Sequence, residues 1–197
     1  MDGHVNPTRL LLLSLAFAPI GAHAADVPDA AIAAKAAVCA ACHGPNGQST
    51  NPGWPSLAGQ TARYIEIELR DFQSGRRADP LMSPVAKTLS AQDVQALAEY
   101  FSAQRPMSST HNGDSSKIAQ GKTISSDSQC TMCHLGGFSG QNEIPVAAGQ
   151  QYQYLVKQLK DFRDSRRTND AGTMKAYTTG LSDAQIDELA QYITNLN

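Results

Sequence analysis

Two five-residue stretches hold every cysteine of the chain: Cys39-Ala40-Ala41-Cys42-His43 and Cys130-Thr131-Met132-Cys133-His134. Both read Cys-x-x-Cys-His, the attachment signature of c-type haem. The spacing has a chemical reason. Two thiols on adjacent turns at a helix end can add to the two vinyl groups of one haem. The histidine that follows then sits against the iron as its proximal ligand. Paired Cys-x-x-Cys knuckles also bind zinc, but here the pairs lie too far apart in sequence and share a trailing histidine. Two disulfide hairpins are the remaining alternative.

A proximal histidine leaves the other face of an iron open, and thioether sulfur is a soft ligand that raises the haem potential. The candidates are few. His4 and His23 fall in an N-terminal leader, so His111 is the only histidine outside the motifs. Among the methionines, Met82 and Met174 occupy matching places, each seven residues before a Leu-Ser pair, Leu89-Ser90 and Leu181-Ser182. They are expected in loops that return across the haems as axial ligands. Met132 lies inside an attachment loop, and Met107 has no counterpart in the other half.

The elements that must position these residues occur twice. Pro55 to Gln60 matches Pro145 to Gln150, and Tyr64 to Phe72 matches Tyr154 to Phe162. Arg76-Arg77 matches Arg166-Arg167. This is the duplication of a whole domain, not a short solenoid period. Each half reads as three helices around a haem, giving an all-α tandem. Asp29 can cap a first helix with Ile32, Ala36 and Cys39 on one face. Ser116 can cap its counterpart, from Lys117 to about Ile124, before a polar insertion, Ser125 to Ser128. Middle helices are expected over about 61–74 and 151–164, with Ile65, Leu69, Phe72 and Leu155, Leu159, Phe162 at helical spacing. Last helices start at Ser90 and Ser182, where Ser182-x-x-Gln185 is a capping box and Ser90-x-x-Asp93 a weaker one. The Ser- and Gly-containing stretch 107–115 reads as a linker. Domain 1 is then residues 25–108 and domain 2 residues 109–197.

Residues 1–24 read as a secretory signal. Arg9 ends a polar start, Leu10 to Ile20 is apolar, and Ala22-His23-Ala24 offers a cleavage site. The run is too short for a membrane-spanning helix, and no other apolar stretch approaches that length. Charge is balanced: seven Lys/Arg against eight Asp/Glu in 25–108, and eight against nine in 109–197. That excludes the basic face a nucleic-acid binder needs. Arg76, Arg77, Arg166 and Arg167 read equally as neutralisers of haem propionates and as solvated helix ends. Tyr100 and Tyr192 read as helix packing, and His111 as a solvated linker residue.

On these residues the chain resembles the cytochrome c4 family, dihaem proteins of two class I cytochrome c domains, over essentially all of residues 25–197. Cys39, Cys42, His43 and Met82, with Cys130, Cys133, His134 and Met174, match the family's covalent and axial positions. The stretch Arg167-Thr168-Asn169-Asp170 before Thr173-Met174 is similar to the family's second domain. The resemblance implies that the Pro55 and Pro145 carbonyls accept from the proximal histidines. Leu135 departs from the pattern by standing where the first motif is followed by Gly44, and Trp54 has no equivalent before Pro145.

The function so implied is a periplasmic electron carrier with two covalent haem c groups, passing electrons from a respiratory donor complex to a terminal oxidase. The alternative is the dihaem subunit of a dehydrogenase, such as flavocytochrome c sulfide dehydrogenase. Peripheral membrane association stays open. A dihaem peroxidase needs an iron with a displaceable ligand, and matched methionines argue against it.

Overall fold

The computed structural model describes residues 1–3 and 30–196. The leader features from Arg9 to Ala24 and the Asp29 cap lie outside the described residues. The described chain folds into α1 (Ala30–His43), α2 (Ala62–Ser74), α3 (Met82–Lys87), α4 (Ala91–Ser102), α5 (Ser115–Asp127), α6 (Thr131–His134), α7 (Tyr152–Arg163), α8 (Thr173–Thr178) and α9 (Asp183–Thr194). Among the described residues there is no strand, only an isolated bridge between Gln141 and Ile144. None of these helices is long and apolar enough to cross a membrane.

Local chemistry sets most of the boundaries. The Thr61 hydroxyl accepts from the Tyr64 amide to start α2, and Gly75 ends it in the left-handed region at φ 80°. Both last helices begin with a complete capping box, Ser90 with Asp93 and Ser182 with Gln185. The box at Ser90 is therefore as complete as its counterpart. The cap of α5 is Asp114, not Ser116: its carboxylate accepts from the amides of Ser116 and Lys117. The helix then runs on through Ser125 and Ser126, so the expected polar insertion is helical up to Asp127. It breaks at Gln129, whose φ is 55°, and the second motif follows as a separate short helix, with Cys130 at the N-cap of α6 and Thr131 to His134 inside it.

Each half buries its own core. The first is built from Ala36, Ile65, Leu97, Ala98 and Phe101. The second uses Phe138, Leu155, Leu159, Ile186, Leu189, Ala190 and Ile193. The aromatic ring of this core has two origins. In the first half Phe101 of α4 fills the space over Gly47. In the second, Phe138 occupies the position matching Gly47, and Ile193 the one matching Phe101. The backbone is unchanged by the exchange: Leu57 and Ala58 donate to the Gly47 carbonyl, as Ala147 and Ala148 donate to that of Phe138.

The two halves meet through reciprocal contacts. Gln60 donates to the Val146 carbonyl at 2.9 Å and accepts from its amide at 2.8 Å. Gln150, its counterpart, does the same with Ser56 at 2.9 and 2.8 Å. Arg77 donates to Tyr154 Oη at 3.0 Å, and Arg167 donates to Tyr64 Oη at 3.0 Å. Each guanidinium also lies over a phenyl ring, Phe72 at 4.7 Å and Phe162 at 4.5 Å. Matched residues thus exchange partners across a pseudo-twofold axis, as in an isologous dimer.

This interface corrects two expectations. Arg77 and Arg167 are not solvated helix ends, because they are buried and bridge the halves. Arg76 and Arg166 pair with Asp71 and Asp161. In the stretch read as linker, Met107 is buried at 4% exposure and its sulfur accepts from Gln150 at 3.3 Å. His111 stacks on Tyr152 with ring centroids 4.2 Å apart.

Candidate functional site

The first motif closes the C-terminal end of α1. His43 is 6% exposed, and its Nδ1 lies 2.8 Å from the Pro55 carbonyl oxygen. A carbonyl can only accept, so Nδ1 carries the proton and the Nε2 lone pair is free. That Nε2 is buried with no hydrogen-bond partner, which is where a metal would satisfy it. His134, at the end of α6, repeats the arrangement with the Pro145 oxygen at 3.0 Å. Burial pushes both imidazoles below the ordinary histidine value, with the proline carbonyls acting in the other direction. Both rings are thus neutral at physiological pH, fixed in one tautomer.

The four sulfurs are unpaired thiols. Cys42 is exposed, while Cys39, Cys130 and Cys133 are half-buried. Burial raises the thiols of Cys39 and Cys130 above their usual value. Among the described residues, no three of His, Cys, Asp and Glu converge as metal ligands. The two pairs therefore do not form one zinc site.

Met82 and Met174 do not sit in irregular loops. They stand in the first turns of α3 and α8. Each turn is held by an aspartate: Asp79 in the first half, and in the second Asp170, the last residue of the family-like stretch before Thr173-Met174. Asp79 Oδ1 accepts from the amides of Leu81 and Met82, both at 2.9 Å. Asp170 accepts from Gly172 at 3.1 Å and from Met174 at 2.5 Å. The available signal was an Asp shortly before the methionine in both repeats. The far ends of these segments are tied down as well. Gln73 of α2 donates to the carbonyls of Ala86 and Leu89, and its counterpart Arg163 donates to that of Leu181.

Each half thus carries two thiols, a neutral histidine with an available lone pair or its matched equivalent, and a methionine on a fixed turn. The donor set fits a covalently held haem c. A family model for cytochrome c matches residues 30–104 and 118–197. Over 198 residues the chain is 36% identical to cytochrome c4 of Pseudomonas aeruginosa, covering 95% of this chain and 96% of that relative. The chain belongs to the cytochrome c4 family. The crystal structure of reduced recombinant cytochrome c4 from Pseudomonas stutzeri matches at a TM-score of 0.79 and 34% identity, covering 85% of this chain and 98% of that one. A protein of Thiomonas intermedia named thiosulfate dehydrogenase electron acceptor is 35% identical, over 91% of this chain and 88% of its own length. As a cytochrome c4 relative, the chain is a dihaem electron-transfer protein with covalently bound haem c, not an enzyme.

Within this cytochrome c4 frame, Leu135 is strained. It adopts φ 62° and ψ 171°, close to the φ 75° and ψ 166° of its counterpart Gly44. That region is almost exclusive to glycine and costs of order 1–3 kcal/mol for other residues. Leu135→Gly is expected to stabilise the folded holoprotein by about 1 kcal/mol, read from chemical denaturation. A destabilised variant would mean that Leu135 makes contacts worth more than its strain. The reverse change is closed to the first half, where a Cβ on Gly44 would come within 1.8 Å of the Gln48 carbonyl oxygen.

Proposed function

We propose that this protein is a periplasmic carrier in which Cys39 and Cys42 hold one haem c and Cys130 and Cys133 the other. His43 and Met82 are the axial ligands of the first iron, His134 and Met174 of the second. The observation that carries the assignment is that both halves repeat the whole set: two thiols, an Nδ1-tethered imidazole, and a methionine on an Asp-held turn. The halves divide as domains 1 and 2 at 108/109, with residues 1–24 removed on export.

Each bound haem supplies a one-electron couple between ferric and ferrous iron. The chain's own residues do the rest. Pro55 and Pro145 orient the imidazoles and make them more basic, and the buried cores keep water away. Asp79 and Asp170 set where the thioethers are presented.

The partners follow from the same reading. The protein accepts electrons from a respiratory donor complex and delivers them to a terminal oxidase. A second reading, electron acceptance from a periplasmic dehydrogenase, is favoured by the 35% identity to a thiosulfate dehydrogenase electron acceptor. The test has two stages. Mass spectrometry of the denatured mature protein is expected to show two haems that survive acid–acetone extraction. One haem, or zinc, overturns the assignment. Reduced protein mixed with membranes from the same cells is then expected to be reoxidised in a cyanide-sensitive manner. No reoxidation by membranes, together with rapid reduction by a dehydrogenase fraction, would favour the second reading.

A further inference from the structure

The two methionine turns are built to different lengths. Four residues separate Arg77 from Met82, and six separate Arg167 from Met174. The shorter turn holds itself. Pro80 restricts its backbone. Asp79 donates from its amide to the Ser83 hydroxyl at 3.0 Å, and its carboxylate accepts from Leu81 and Met82. All of these partners belong to the first half. In the longer turn, Ala171 and Gly172 both enter the left-handed region, at φ 57° and 81°. For alanine that conformation is strained, and it persists only where the surroundings hold it.

That hold comes from the other domain. Asn169, next to Asp170, reaches across the interface to α2. Its Nδ2 donates to Glu68 Oε1 at 3.1 Å and to Asp71 Oδ2 at 2.7 Å. Its Oδ1 accepts from Arg167 Nε at 2.9 Å. Glu68 and Asp71 stand three residues apart on one face of α2, and Asp71 is only 1% exposed. Two carboxylates on one side and a guanidinium on the other fix which way the amide faces. Asp170 then accepts from the Gly172 and Met174 amides. A chain of bonds therefore runs from α2 of domain 1 to the backbone of Met174, whereas the bonds of the Met82 turn stay within its own half.

We propose that Asn169 is a positioning residue for the second axial methionine, which domain 1 thereby holds in place through its α2 carboxylates. The inference rests on the ligand assignment above. Asn169 acts through the backbone of the turn, not on the thioether itself. Docking of the two halves is thus coupled to one iron site and not to the other.

The test is displacement of the thioether by imidazole in the oxidised, full-length holoprotein, followed as bleaching of the red sulfur-to-iron band. Two backgrounds separate the sites. In Met82→Ala the remaining band belongs to Met174, and in Met174→Ala it belongs to Met82. Adding Asn169→Ala to the first background is expected to lower the imidazole concentration at half-bleaching by about tenfold, the factor carried by one hydrogen bond to a charged group. Adding it to the second should leave that concentration unchanged. Asn169→Asp keeps the shape but turns an oxygen towards both carboxylates, and is expected to loosen Met174 at least as much. An unchanged imidazole response in the Met82→Ala background overturns the proposal. So does equal loosening in both backgrounds, which is what a general loss of stability would produce. If Asn169→Ala does not accumulate, Asn169→Asp decides alone by the same comparison. The parent variants test the ligand assignment separately: if Met82→Ala and Met174→Ala do not each keep part of the band, that assignment fails and the proposal with it.

Discussion

With Met174 replaced by alanine, the purified holoprotein is expected to keep both haems and lose about half of its weak red sulfur-to-iron absorption. The attachment thiols and His134 are untouched, so haem content should not change. The affected haem should lose its thioether and fall in potential by roughly 0.2 V, a fraction of the ≈ 0.8 V that axial ligation spans. Met82→Ala is expected to do the same to the other haem. Met107→Ala should leave the band intact, because its sulfur is buried in the interface and bonded to Gln150. A lost red band in Met107→Ala, with none lost in Met174→Ala, would refute the assignment. The potentials make the experiment two-sided, since one haem should move while the other stays.

The second large effect lies at the interface. Arg167→Ala removes the guanidinium that holds Glu68, Gln158, Tyr64 and Asn169 together. Glu68 keeps Arg77 as its ion-pair partner, so the loss is chiefly that of buried hydrogen bonds to a charged group, about 2–3 kcal/mol, which for a chain of this size corresponds to roughly 7 °C in melting temperature. The pH dependence has a definite sign. Burial pushes the Glu68 carboxyl up, but the charges of Arg167 and Arg77 and the bonds from Arg77 and Asn169 outweigh it, so it sits below the ordinary glutamate value. A depressed carboxyl stabilises the folded state above its unfolded value, and that contribution is lost as pH falls through the folded value. Wild type and Arg167→Ala should therefore differ most near neutral pH, and the gap should narrow as pH falls through the depressed Glu68 value. A gap that stays constant down to the lowest pH at which both proteins remain folded would show that Glu68 is not the linked group.

What could be read from the sequence was local or repeated. The attachment motifs, the Ser90 and Ser182 caps and the 3.6-residue stripes of α2 and α7 all lie within one or two turns. Duplication doubled each signal and singled out Met82 and Met174. The features that were missed depend on distance. Arg77 and Arg167 look like helix-end cations, because their partners stand 77 to 103 positions away. The six-residue helices α3 and α8 are too short to persist on propensity alone and are fixed by Asp79, Asp170 and ties to neighbouring helices. At the start of α5 two residues could cap, and the backbone reach of Asp114 decides the choice. In the 107–115 stretch, polar composition hid a buried methionine.

The reciprocal interface also has a concentration scale. Free single domains at micromolar levels would need about 8 kcal/mol of association free energy to stay paired. Domains joined by a short coil meet at an effective concentration near millimolar, for which about 4 kcal/mol suffices. The tether thus relieves roughly 4 kcal/mol. Glu68, to which both Arg77 and Arg167 donate, has a glutamine as its counterpart, Gln158, which accepts from the same two guanidiniums. Two copies of the domain 2 face would bring two guanidiniums together with no carboxylate, whereas domain 2 against domain 1 always shares Glu68. The single substitution thus disfavours pairing of domain 2 with a second copy of itself.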